Sequence, residues 1–174
     1  MHYNQVCKMR LNNKVYRWIV EITLILIVIS LLRLWIQRDV VSGDAPNISA
    51  VTLEGQYFDL YKHKTRPLLV YFWATWCPVC KLEQSNIESI SMDYPVITIA
   101  MQSGDDEEIS QFLKDEKLTF KVINDDSGVL SKKYNIRGVP VSFVINKQNE
   151  IEFAEVGYTT ELGLKARLWW ASLE

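Results

Sequence analysis

The chain has 174 residues, of which 48% are hydrophobic and 23% charged, with a net charge of −2. That length holds one ordinary domain and an appendage, and the apolar share is enough for a core. Residues 1–43 carry six basic and two acidic groups, and residues 44–174 carry thirteen and nineteen, so the acidic later part excludes nucleic acid as a natural partner.

Residues 1–17 form a basic tail with Lys8, Arg10, Lys14 and Arg17 and no acidic group. Trp18–Ile36 then reads as a transmembrane anchor, about 28 Å long as a helix at about 1.5 Å per residue. The basic flank predicts a single-pass topology with the N-terminus in the cytoplasm and the rest outside. Trp18 and Trp35 stand where interfacial anchors belong, and Glu21 and Arg33 lie near the ends, within reach of water. The uncharged stretch Ile22–Leu32 is also short enough for a signal-peptide core. Arg33 to Arg38 follow it in place of small cleavage-site residues, so an uncleaved anchor is favoured. Cys7 is then an incidental cytoplasmic thiol, and the remainder occupies a disulfide-permissive compartment.

Residues 37–47 are polar, with Gly43 and Pro46, and read as a linker to a domain over 48–174. Ile48–Leu53 and Tyr57–Leu60 flank Glu54-Gly55-Gln56 as a short hairpin. Leu68–Trp73 is an unbroken apolar run, the pattern of a strand buried on both faces. A helix follows over Pro78–Ile90, with Val79, Leu82, Ile87 and Ile90 as its apolar positions. Val96–Met101 is a second buried strand, and a helix begins around Ser103-Gly104-Asp105 and runs to about Glu116. The run Asp105–Glu108 fits the solvated positive end of that helix better than a cation site. Thr119–Ile123 reads as a short strand, and Asp125 to Gly128 supply caps for a short helix ending at Tyr134. Val141–Ile145 and Ile151–Val156 are strands around a turn at Asn146–Asn149, and a last helix covers about Thr160–Ser172. Strands alternating with helices, with a hairpin near the end, predict an α/β fold around a mixed sheet.

The chemistry sits in Trp76-Cys77-Pro78-Val79-Cys80. A buried strand running into Cys-x-x-Cys and then a helix puts the first sulfur at a helix N-terminus. Free N–H groups and the macrodipole favour the thiolate there, and the thiolate is the species that attacks disulfides. Cys80, one turn on, can close a ring onto Cys77 and expel a bound partner. A structural disulfide closing so short a loop gains little. A zinc site would want a second ligand pair, and only Cys7, His2 and His63 remain, none at ligand spacing. The motif therefore predicts redox chemistry with no metal and no cofactor.

Tyr71 to Lys81 resembles the active-site segment of thioredoxin-like proteins. Arg137-Gly138-Val139-Pro140 resembles the loop that in that fold carries a cis-proline opposite the Cys-x-x-Cys. The resemblance runs over roughly residues 48–172 and implies a thioredoxin-like fold, a mixed central sheet flanked by helices. Phe72 to Cys77 and Cys80-Lys81-Leu82-Glu83 are similar to the membrane-anchored periplasmic branch of TlpA- and ResA-type proteins. Ala100–Asp106, Val122–Asp125 and Leu164–Ala171 are similar to the suppressor-of-copper-sensitivity D family.

This resemblance implies that Cys77 and Cys80 form the redox-active disulfide of a thiol-disulfide oxidoreductase of reductase type. Its catalytic domain would be periplasmic and tethered to the inner membrane. It implies protein thiol/disulfide clients, copper-stressed ones among them, and a DsbD-type membrane electron donor. Val139 and Pro140 would present backbone groups to a client strand. Trp76 would shield the sulfurs and offer an apolar surface, or else be a plain core tryptophan. Thioredoxin has a buried aspartate six positions before its first active-site cysteine; Tyr71 stands there in this chain. Glu83 matches the acidic residue of ResA-type proteins and would take the proton of Cys80 as a buried carboxylate, unless it is an exposed helix residue. Two rival functions stay open: a cytochrome c maturation thiol reductase, and a non-enzymatic Cu(I)-binding module using both sulfurs.

Overall fold

The computed structural model describes residues 13–37 and 40–173, with the side chains of 16–29 and 31 described in the first helix. Two units result, residues 1–38 and 39–174. The first contains helix α1 (Asn13–Gln37). No proline or glycine interrupts α1, and its described apolar side chains, among them Trp18, Ile22, Leu26 and Ile29, are exposed around the helix. Among the described residues no helix is long and apolar enough to cross a membrane. The stretch Trp18–Ile36 read as a span lies partly outside the described side chains. Cys7 and the tail to residue 12 lie outside the described residues altogether.

The second unit is built around strand β4 (Leu68–Trp73), whose six side chains are all buried. Alternate residues point to opposite faces of a strand. Leu69, Tyr71 and Trp73 enter one cluster with Ile87, Ile109, Leu164 and Leu168, while Leu68, Val70 and Phe72 enter another with Ile48, Leu60, Tyr134 and Phe143. Both faces therefore need cover. Helices α2 (Pro78–Asp93), α3 (Asp106–Asp115) and α5 (Glu161–Ser172) supply it on the first side. On the second side lie α4 (Val129–Lys133) and a separate hairpin of β2 (Ser49–Val51) and β3 (Tyr57–Asp59). The remaining strands are β1 (Gly43–Asp44), β5 (Val96–Met101), β6 (Val122–Asp125), β7 (Val141–Ile145) and β8 (Glu150–Val156). They form with β4 a six-stranded sheet in the order β1-β8-β7-β4-β5-β6. β4, β5 and β6 run parallel, and β7, β8 and β1 are joined by antiparallel pairing. This is the mixed central sheet with flanking helices that the resemblance implies.

Three elements differ from their sequence reading. Gly43–Asp44, inside the stretch read as linker, is an edge strand paired with β8, and Ala45 beside it is fully buried. The strand expected over Thr119–Ile123 begins only at Val122, because the Glu88 carboxylate takes the N–H groups of Thr119 and Phe120 at 2.9 and 3.2 Å. It runs on to Asp125, which pairs with Met101. Helix α2 extends to Asp93, and its buried stripe is Cys80, Glu83, Gln84, Ile87 and Ile90, whereas Val79 and Leu82 are exposed. The acidic caps hold: Asp105 and Glu108 form a reciprocal capping box on α3, and Asp125 accepts from the N–H groups of Leu130 and Ser131 at the start of α4.

Ile87 is fully buried where α2 packs on the sheet. Ile87→Ala should cost about 2–5 kcal/mol, the range for emptying a large aliphatic core site, and lower the urea midpoint without changing the slope.

Candidate active site

The site forms where β4 ends and α2 begins. Trp73 is the last residue of β4 and Cys77 is the N-cap of α2, with Pro78 in the first helical position, where a missing donor is harmless. The three residues between are tied to the loop after the parallel neighbour β5. Thr75 N donates to Ser103 Oγ at 3.1 Å, and the Trp76 indole N–H donates to the Gln102 carbonyl at 3.0 Å.

Cys77 and Cys80 are joined in a disulfide. The Cys80 N–H donates to Cys77 Sγ at 3.1 Å, so the sulfur takes the place that a serine or aspartate oxygen holds in an ordinary cap. Cys77 keeps 4% of its surface and Cys80 none. Access thus distinguishes the two sulfurs, and the outer one is the first that a partner can meet. Across from it lies the loop between α4 and β7. The Val139–Pro140 bond is cis, and the Val139 carbonyl oxygen is 3.5 Å from Cys77 Sγ. Pro140 is buried and its carbonyl accepts from Gly157 N at 2.9 Å, which fastens the loop to the end of β8.

Trp76 is 59% exposed, so it belongs to the surface and not to the core. With Val79, which stands between the two cysteines and is also exposed, it gives the rim of the disulfide an apolar character. Such a rim suits an unfolded or extended protein segment better than a small polar ligand.

Glu83 is fully buried on the same face of α2 as Cys80, one turn further on. Its Oε1 accepts from Thr159 N at 3.0 Å, and its Oε2 lies 3.4 Å from the Tyr71 hydroxyl, which donates to it. Burial pushes the carboxyl up to about 7, against the smaller opposing effects of those two hydrogen bonds. Burial, with the adjoining carboxylate, raises the Tyr71 phenol still further from ionisation, so Tyr71 stays a donor. Of the two readings of Glu83, the structure has the buried one. Tyr71 and Thr159 are the residues that sequence reasoning missed as its partners. Thr159 is 76 positions away and contributes through its backbone, which leaves no mark in the sequence.

Among the described residues no group of three or more His, Cys, Asp or Glu side chains could hold a metal ion. A cavity of about 450 Å³ lined by Tyr57, His63, Met92 and Lys121, among others, lies at the far end of the sheet and contains none of the motif residues.

Residues 41–154 match the AhpC/TSA family, well over half of the chain. A thioredoxin-like protein of Haemophilus influenzae is 29% identical over 147 residues, 83% of this chain and 87% of that protein. The sporulation thiol-disulfide oxidoreductase A of Bacillus subtilis is 31% identical over 121 residues, 66% of this chain and 73% of its own. The crystal structure of StoA from Bacillus subtilis matches with a TM-score of 0.62 and 29% identity, covering 70% of this chain and 96% of that one. The chain belongs to the AhpC/TSA family, has the thioredoxin-like fold, and is a thiol-disulfide oxidoreductase.

The Glu83 carboxyl titrates near 7 in the folded chain and near 4.5 when unfolded. A raised carboxyl leaves stability intact below the unfolded value and lowers it as pH rises through the folded one. Glu83→Gln removes that loss. Thermal melts of the two proteins should therefore diverge between about pH 4.5 and 7, the variant becoming the more stable at pH 8 by on the order of 3 kcal/mol. Parallel melting curves over this range would show that Glu83 ionises normally.

Proposed function

We propose that this AhpC/TSA-family oxidoreductase is a membrane-anchored reductase of protein disulfides, with its catalytic domain in the periplasm. The observation that carries the reading is the Cys77–Cys80 disulfide at the N-terminus of α2, facing the Val139 carbonyl. In the reduced state the Cys80 N–H and the positive end of α2 both favour a thiolate at Cys77. That thiolate attacks one sulfur of a client disulfide, a mixed disulfide forms, and the other client sulfur leaves as a thiolate. Cys80 then passes its proton to Glu83 and attacks Cys77 Sγ. The internal disulfide closes, the second client sulfur leaves and takes up the proton, and two electrons have moved from the pair to the client.

Glu83 is suited to its part because a carboxyl titrating near 7 both accepts and returns a proton at neutral pH. Trp76, Val139 and Pro140 bind the client: the indole offers apolar surface, and the loop offers backbone beside the attacked sulfur. Anchoring by residues 18–36 is supported by the exposed apolar side chains of α1 and the basic residues before it. A pair that reduces clients in an oxidising compartment must be recharged from elsewhere, and a membrane electron carrier of the DsbD type fits that need. The likeness of residues 100–106, 122–125 and 164–171 to the suppressor-of-copper-sensitivity D family favours clients whose thiols copper has oxidised.

Cys77→Ser should reduce insulin disulfides no faster than free dithiol alone, whereas Cys80→Ser should accumulate mixed disulfides through Cys77, visible on non-reducing gels. In wild type the resolving step should slow as pH falls through about 7. Glu83→Gln should slow it on the order of 10²-fold at pH 8, the scale of general-base assistance. An unchanged rate in Glu83→Gln would remove Glu83 from the mechanism and leave the cysteine roles intact.

A further inference from the structure

Glu83 is the one acid on the buried stripe of α2, and its two carboxyl oxygens meet donors of different kinds. Oε1 accepts from Thr159 N at 3.0 Å, and Oε2 accepts from the Tyr71 hydroxyl at 3.4 Å. A backbone N–H can only donate, whereas a phenol both donates and accepts. Alternation along β4 sends Leu69, Tyr71 and Trp73 to the side that α2 covers, so the phenol arrives at Glu83 from the strand. Tyr71 is fully buried, and among the described residues its hydroxyl has no other hydrogen-bond partner.

A protonated Glu83 carries an O–H that needs an acceptor inside the core. On Oε1 that hydrogen would stand beside the Thr159 N–H, itself a donor, and find no acceptor. On Oε2 it can point to the phenol oxygen, which accepts once its own hydrogen has turned aside, while Oε1 keeps the Thr159 bond. The phenol hydrogen is then unbonded, a smaller loss than an unbonded carboxyl O–H, which is the stronger donor. When Glu83 ionises, the phenol turns back and donates to the carboxylate, a charge-assisted bond. No cation competes for this part. Lys165 of α5 is paired with Asp93 and Glu161, Arg167 of α5 with Glu155, and Lys81 of α2 with Glu116. Tyr158 has its hydroxyl on the Asn86 amide, and β5 and β7, which flank β4, carry no titratable side chain. Cys80, one turn before Glu83, is the remaining titratable group on the inner side of α2 once the disulfide opens.

We propose that Tyr71 is a positioning residue for the resolving step: its hydroxyl reverses from donor to acceptor as Glu83 takes the Cys80 proton, and so fixes Oε2 as the oxygen that carries it. This rests on the proton transfer from Cys80 to Glu83 proposed above. In that transfer the Cys80 S–H bond breaks and a Glu83 O–H bond forms. The phenol keeps its own proton throughout, since burial holds it far from ionisation. Tyr71 thus gives a buried acid a partner in both of its states, where Thr159 can serve only one oxygen and in one sense.

The test uses the reduced full chain in detergent micelles, mixed with the aromatic disulfide dithiobisnitrobenzoate. One thionitrobenzoate ion leaves as Cys77 attacks, and a second as Cys80 resolves. In wild type the second release should slow as pH drops through about 7. Tyr71→Phe deletes the donor that favours the carboxylate, so its slowing should begin at higher pH: about fivefold slower than wild type near neutrality, and close to wild type at about pH 9. Lost packing alone would lower the melting temperature without moving this midpoint. A second measurement needs no change at Tyr71. In oxidised wild type with tyrosine isotopically labelled at Cζ, one tyrosine resonance should move with pH around 7 and stand still in Glu83→Gln. A second release that ignores pH through 7 in wild type removes Glu83 from the step, and Tyr71 with it. A pH-dependent release whose midpoint is the same in Tyr71→Phe, or the absence of any tyrosine resonance that titrates near 7, overturns the role of Tyr71 and leaves Glu83 in place.

Discussion

Burial of both faces of β4 is the constraint from which the rest of the domain follows. A strand with six apolar side chains and no solvated face must have a layer on either side. Trp73 carries this to the last residue, its indole donating to Thr98 Oγ1 at 3.1 Å inside the core. The chain can leave only at the edge of the core, and there it turns into α2. The position of Cys77, nearly buried yet reachable, is set by that exit.

The site has a second dependence, on a buried acid. A carboxyl in the interior costs free energy unless it is neutral or well bonded. Glu83 meets this partly by titrating near 7 and partly through Thr159 N and the Tyr71 hydroxyl. Those partners come from the strand that leads to Cys77 and from the segment that leads into α5. Asn86 reinforces the second link, donating to the Thr159 carbonyl at 3.3 Å. The buried acid is thus also a tie between α2 and the segment that leads into α5. A substitution there is felt in packing as well as in chemistry.

The ends of the sheet divide the work. The ends of the parallel strands β4 and β5 gather the loops that hold Cys77, Trp76 and Ser103, as the C-terminal edge of such sheets gathers functional groups in α/β folds generally. The opposite end collects edge strand β1, the β7–β8 turn and the exposed tryptophans of α5.

Strand β4, the Cys77-Pro78 start of α2 and the acidic cap of α3 were legible in the amino-acid order, because each is decided by neighbours within a few residues: an unbroken apolar run, a ring without a donor, a reciprocal pair three apart. The redox pair was legible for the same reason, since its chemistry lies in spacing. Edge strand β1 was not, because two polar residues become a strand only when Ile151 and Glu150 offer them a ladder. Nor was the inward side of α2: Val79 and Leu82 satisfy helical periodicity as well as Cys80 and Glu83 do, and only the packed sheet decided which set met the core. The sequence by itself therefore settled where the sulfurs stand. The tertiary structure alone settled how far the Glu83 proton is held from its usual range, since desolvation is a property of the burial achieved once residues distant in the chain close over it.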